Sequence, residues 1–153
     1  MSIADRLVEL GIVIPEVVPP VAAYVPAVAT GHYVYTSGQL PMRDGEMIAT
    51  GLLGDSVDVE VAKDCARQCA INGLAAIQSV IGSLDRVTRV VKVVGFVASK
   101  PDFTGQPGVI NGASEVLGEI FGDAGRHARS AVGVAALPLN APVEVEMIVE
   151  VAD

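Results

Sequence analysis

Few side chains in this sequence are equipped for chemistry, and Arg129 is the most informative of them. It begins a stretch, Arg129 to Ala135, that is otherwise small and mostly apolar. A permanently charged planar group with five donors in such surroundings needs a carboxylate or a phosphate to receive them. Two sources fit: an internal ion pair with Glu144, or a bound anion. Glu144 in turn opens an alternating segment, and is either a solvated or paired strand carboxylate or a proton acceptor in a site. His127 and His32 read as polar or hydrogen-bonded residues ahead of general bases. Tyr24, Tyr33 and Tyr35 suit a cleft wall or half-buried packing. Cys65 and Cys69 stand four apart in a helical pattern with no His beside them. That is a poor metal geometry and reads as two buried packing thiols. No phosphate loop, dinucleotide fingerprint, His pair at ligand spacing or nucleophile elbow occurs, so no metal site is expected.

Composition narrows the setting. The 153 residues carry 10 Lys and Arg against 18 Asp and Glu, a formal net charge of -8. Nucleic-acid binding rests on clustered Lys and Arg, and the longest basic feature is Arg126-His127-Ala128-Arg129, so no nucleic-acid partner is expected. The chain is 51% apolar with a mean hydropathy of +0.51, yet it has no run of roughly 20 apolar residues to span a bilayer. The uncharged stretch from Val17 to Met42 is broken by Pro19, Pro20, Pro26 and Pro41. The start lacks the basic and apolar regions of a signal peptide, and a soluble cytoplasmic protein is the expectation. That much apolar surface needs a cover, which points to a homo-oligomer. A length of this order suits one domain.

The elements that must position these residues follow from pattern. Ser2, Asp5 and Gly11 frame a short helix with a capping box and a glycine stop. The prolines between Ile12 and Pro26 give a rigid extended arm. Ala27 to Leu40 reads as a hairpin around Gly31-His32, and Asp44-Gly45 as a turn with a short strand after it. The longest helix is expected from Val59 to Ile81, with Asp58 as its N-cap and Gly82 as its stop. Arg86 to Ser99 is Val-rich on both faces, the pattern of a central strand covered on both sides. A second helix is expected from Gly108 to Phe121 behind Pro107, and strands over Arg129–Ala135 and Val143–Val151. The result is an α+β domain, a mixed sheet with two main helices on one face. On the other face the last strand carries Glu144, Glu146 and Glu150. The preceding strand would add Arg129, Ala131, Gly133 and Ala135 there, provided that Ser130, Val132 and Val134 point into the core.

Several runs together carry a family resemblance. Tyr24-Val25-Pro26-Ala27, Tyr35-Thr36-Ser37-Gly38-Gln39-Leu40-Pro41, Ala128-Arg129-Ser130-Ala131-Val132-Gly133-Val134, Leu137-Pro138 and Val143-Glu144-Val145-Glu146 occur in that order. The chain from about Pro19 to Val151 thereby resembles the RidA/YjgF reactive-intermediate deaminases, also known as endoribonuclease L-PSP. The resemblance implies a chorismate-mutase-like fold and a homotrimer whose sheets face inward, with clefts between subunits. It divides the single domain into a helix and arm at 1–18 and a RidA-like body at 19–153. It gives Arg129 the carboxylate of a 2-imino or 2-enamino acid and gives Glu144 the attacking water. Tyr24, Ser37, Gly38, Asn111 and Ala131 become cleft residues. A protonated imine is electrophilic by itself, so the implied reaction, hydrolysis to a 2-keto acid and ammonia, calls for no cofactor. Ala131 stands where many relatives have Cys and leaves a backbone N–H as that position's contribution. The run Gly125 to Arg129 and the N-terminal helix resemble a distinct subgroup, in which His127 at the cleft mouth marks a different specificity. Two other functions fit the same residues: a carboxylate-binding regulatory trimer without turnover and, against the charge, a ribonuclease.

Overall fold

Side-chain caps mark where the first two helices begin. In the computed structural model, which describes residues 1–17 and 22–153, α1 spans Ile3–Leu10. The Ser2 hydroxyl oxygen accepts the Asp5 N–H at 3.0 Å, and the Asp5 carboxylate accepts the Ser2 N–H at 3.3 Å. Pro19, Pro20 and the boundary expected at 18/19 lie outside the described residues. The strands β1 (Ala27–Thr30) and β2 (Tyr33–Thr36) form the expected hairpin. Two short strands, β3 (Met42–Arg43) and β4 (Glu46–Met47), pair around Asp44-Gly45. Both turn residues have positive φ, 54° and 81°, as a two-residue hairpin turn of this hand requires.

Helix α2 runs over Val59–Ile81, with Asp58 Oδ1 accepting the Val61 N–H at 2.9 Å. Next come β5 (Val87–Ala98), α3 (Gln106–Phe121), β6 (Ala128–Val134) and β7 (Val143–Val151). The second helix starts two residues before the expected Gly108. Pro107 therefore lies in its first turn, where a missing N–H breaks no helical bond.

The five-stranded sheet has the order β1-β2-β7-β5-β6. β5 pairs antiparallel with β7 and parallel with β6, and α3 makes the crossover that a parallel pair needs. Helices α2 and α3 cover one face. Beneath them Val90, Val93 and Val97 of β5 and Val143, Val145 and Val149 of β7 are fully buried. The opposite face is uncovered in a single chain, and Val28, Tyr33, Tyr35 and Val132 are 40–51% exposed. The both-sided cover expected for β5 is thus provided on one side only. Cys65 and Cys69 are buried in α2, as expected. Among the described residues no helix is long and apolar enough to cross a membrane.

The face expected for Arg129 must be corrected. In the parallel register Arg129 pairs with Val93, Ala131 with Gly95 and Gly133 with Val97. All three partners point under the helices, so Arg129, Ala131 and Gly133 do too. It is Val132, paired with Phe96, that faces outward. A strand's side-chain direction follows its neighbour's pleat, and one step of register inverts it.

Close approach of α3 to α2 depends on Gly112. A methyl group there would collide with the Lys63 carbonyl oxygen, which is backbone and cannot turn aside. At Gly118, on the same helix, a methyl group meets nothing within 4 Å. Alanine at 118 should therefore stabilise by up to about 1 kcal/mol through helix propensity. Alanine at 112 should destabilise by about 1–3 kcal/mol through overpacking. Urea denaturation midpoints of the two variants check the opposite signs.

Candidate functional site

The candidate residues fall into two clusters on opposite faces of the sheet. The first is built on α3 and the start of β6. Asn111 and Ser114 are three residues apart, hence neighbours on one helix face, and that face lies over Arg129. Arg129 Nη1 donates to Asn111 Oδ1 at 2.8 Å and to Ser114 Oγ at 3.2 Å. His127 lies beside them, with Nε2 2.8 Å from Ser114 Oγ and Nδ1 2.7 Å from the Gly125 carbonyl oxygen. Asn111, Ser114, Gly118, Gly125, Arg126, His127 and Arg129 line an open groove of about 370 Å³. Arg129 forms no ion pair among the described residues. It is half-buried, with Nη1 against two neutral oxygens, and among the described residues its Nε and Nη2 make no hydrogen bond. Ala131, two residues along the same strand, shares this face and packs partly against the core.

The second cluster is built on β7 and the segment that leaves β2. Gln39 and Val145 exchange backbone hydrogen bonds at 2.8 and 3.0 Å, which sets Gly38 beside Glu144. A Cβ on Gly38 would stand 2.8 Å from the Glu144 carboxyl carbon, so a larger residue there would push that carboxylate aside. The Ser37 hydroxyl donates to the Val25 carbonyl at 2.6 Å, tying the segment after Tyr24 to the same edge; Tyr24 itself is 60% exposed. The anchoring comes from α2, where Asn72 Nδ2 donates to the Leu40 and Met42 carbonyls at 3.0 Å each. Arg43 meanwhile donates to Asp64 and Gln68.

Within one chain the clusters do not meet. Glu144 pairs with Phe96 of β5 and Arg129 with Val93 of the same strand. Residues three apart on a strand face opposite ways and lie about 10 Å apart along it. The internal Arg129–Glu144 ion pair left open by the sequence therefore does not form. His32 belongs to neither cluster: it sits at the β1–β2 turn, 65% exposed, 3.4 Å from the terminal residue Asp153. Tyr33 and Tyr35 lie on the uncovered face. Ser114 is the residue that sequence reasoning missed. Its signal was a second polar position one turn from Asn111 in a largely apolar helix.

Burial, and secondarily the charge of Glu146, holds the Glu144 carboxyl above its ordinary pKa of 4.5. It accepts a proton more readily than a solvated glutamate. The folded protein then binds this proton more tightly than the unfolded chain does. The stability from this group is complete below the unfolded value and lost as pH rises through the folded one. Glu144→Gln should accordingly raise the melting temperature at pH 7, with the gain vanishing as pH falls below about 4. Thermal melts across that range test the sign. Burial pushes the Cys65 thiol up to about 11 and raises the Cys69 thiol well above its ordinary value, so both stay protonated and neither is a nucleophile.

A five-stranded mixed sheet under two main helices, with a short helix before them, defines a small α+β domain. The family model described as "YjgF/chorismate_mutase-like, putative endoribonuclease" matches residues 4–151, and the chain belongs to that family. Protein TCP17 of Trypanosoma cruzi is 46% identical over 149 residues, 97% of this chain and 93% of that protein. The 2-iminobutanoate/2-iminopropanoate deaminase of Dermatophagoides farinae is 36% identical over 132 residues, 85% of this chain and 87% of that enzyme. The crystal structure of Atu1372 from Agrobacterium tumefaciens, a protein of unknown function, superposes with a TM-score of 0.90 at 47% identity. That match covers 98% of this chain and 92% of the other.

Proposed function

We propose that this protein hydrolyses 2-imino and 2-enamino acids to 2-keto acids and ammonia at clefts between the subunits of a homotrimer. The observation that carries the reading is the division of the site. An arginine with no carboxylate partner among the described residues lies on one face of the sheet, and a carboxylate of raised basicity lies on the other. A second copy that lays its Glu144 side against the Arg129 groove would complete both halves, and the uncovered apolar face supplies the surface for such packing.

The chemistry follows from the two groups. The Arg129 fork takes the substrate carboxylate by two parallel hydrogen bonds and so fixes the adjacent C=N carbon. Glu144 of the neighbouring copy takes a proton from water as its oxygen adds to that carbon, and the C=N π electrons pass to nitrogen. The tetrahedral adduct then collapses: the carbon–oxygen double bond forms as the carbon–nitrogen bond breaks. The nitrogen, protonated in the substrate iminium and again by the proton that Glu144 returns, leaves as ammonia, and the hydroxyl proton of the adduct passes to the freed Glu144 carboxylate. Ser37, Gly38 and Tyr24 form the wall beside the glutamate, Asn111 steadies the arginine, and Ala131 offers backbone. The mite deaminase named above supports the substrate class by its relationship. The ribonuclease reading meets a net charge of -8, the wrong sign for a phosphate backbone.

The test is ammonia release when an amino-acid oxidase supplies the imine. Arg129→Ala and Glu144→Gln should each cut the rate about 100-fold or more, in keeping with the loss of one partner of a charged contact. Random mixed trimers of the two inactive variants should regain about a quarter of wild-type activity, since one cleft in four then pairs an intact arginine with an intact glutamate. Mixed trimers that stay inactive would place both groups in one subunit's site and sink the shared cleft. Wild-type protein that binds 2-oxobutanoate without releasing ammonia would leave a carboxylate-binding trimer.

A further inference from the structure

Ser114 is a mid-helix serine whose hydroxyl does not do what such hydroxyls ordinarily do. The default is to bond back to a carbonyl of the preceding turn, and Ser79 of α2 does so, its Oγ donating to the Ala76 carbonyl at 2.7 Å. Ser114 has no such bond. Its Oγ lies between His127 Nε2 at 2.8 Å and Arg129 Nη1 at 3.2 Å.

The direction of these bonds follows from what each atom can do. A carbonyl oxygen only accepts, so the 2.7 Å contact between Gly125 O and His127 Nδ1 puts the proton on Nδ1. In the neutral ring Nε2 is then bare and accepts the Ser114 hydroxyl proton. With that proton committed, a Ser114 lone pair is turned toward Arg129, whose Nη1 donates to it. The donors run in one direction, from Arg129 through Ser114 and His127 to the Gly125 carbonyl. Asn111 Oδ1 takes the other Nη1 proton at 2.8 Å. Both Nη1 hydrogens are thereby used, and the guanidinium is left with one two-pronged edge, formed by Nε and Nη2, to offer a carboxylate.

We propose that Ser114 and His127 are positioning residues that lock the Arg129 guanidinium so that its Nε–Nη2 edge receives the substrate carboxylate. This rests on the reading that Arg129 binds that carboxylate. A guanidinium at the end of a long side chain loses rotamer freedom when it binds. A chain of bonds that removes this freedom beforehand strengthens binding without touching the ligand. His127 acts at one remove: without its bare nitrogen the Ser114 hydroxyl returns to the helix carbonyls and turns its lone pair away from Arg129.

The experiment is a double-mutant cycle read by calorimetric binding of 2-oxobutanoate, with ammonia release measured in parallel. Ser114→Ala and His127→Leu should each weaken binding about tenfold, the scale of one hydrogen bond to a charged group. The double variant should be no weaker than either alone, since both break the same chain. His127→Gln, whose side-chain oxygen can accept the serine proton, should recover most of the loss. In an Arg129→Lys background, which has no fork to orient, neither substitution should change affinity beyond about twofold. In turnover the loss should fall on KM, with kcat little changed. A merely structural role would lower the melting temperature and weaken binding alike in both backgrounds, with no recovery by glutamine. Penalties that persist in the lysine background, or wild-type protein that binds no 2-oxobutanoate, overturn the proposal. If wild-type protein binds the keto acid and the cycle behaves as stated but no ammonia is released, the positioning role stands and the deaminase reading falls.

Discussion

The pleat of β5 is the constraint on which the rest depends. One strand is shared by β6 on one side and β7 on the other, and successive residues along it face alternately under the helices and away from them. Because Arg129 is registered against an inward residue and Glu144 against an outward one, the sheet itself sorts the two charges onto different surfaces. No side-chain rotation can undo that sorting. It separates a cation from the carboxylate that would otherwise neutralise it, and so keeps the arginine's donors open.

Helix α3 has to lie low over β6 for the separated arginine to be held, because Asn111 and Ser114 reach it with short side chains. Missing side chains allow this. Gly112 lets the Lys63 carbonyl of α2 approach, and Gly95 on β5 leaves room for Ile110. Interiors packed to this density pass small displacements on to their neighbours. The glycines are thus part of what fixes the groove, although none offers it a functional group. Across the sheet Gly38 plays a comparable part for Glu144: the absence of a side chain sets how close backbone and carboxylate come.

Much of this was legible in the sequence, and the rest was hidden for physical reasons. Helix ends were readable at Ser2, Gly11, Asp58 and Gly82 because caps and stops are local chemistry. The last strand was readable because buried apolar residues alternate along its nine positions with Glu144, Glu146 and Glu150, Ile148 being the one apolar break in the outward row. The facing of β6 was not, because Arg-Ser-Ala-Val-Gly-Val has no clear alternation of large apolar and polar groups, and its direction is imposed by β5. The Ser114–His127 contact was also out of reach. It joins a helix to a strand start thirteen residues away, and neither residue type is distinctive alone. For Glu144 the residue was visible as a candidate, but its raised basicity comes from burial beside Glu146 and exists only in the folded chain.

The two buried thiols of α2 carry a different consequence. Both cysteines of the chain sit in one helix under the sheet and are held protonated by burial, so reagents that attack thiolates have no ready target while the fold is closed. Their alkylation can proceed only as fast as α2 lifts from the sheet, which makes the rate of labelling a clock for opening of the core. A cysteine introduced on the surface would react against an almost silent background, and a probe attached there would report whether copies of the chain meet, without any native residue having to be removed.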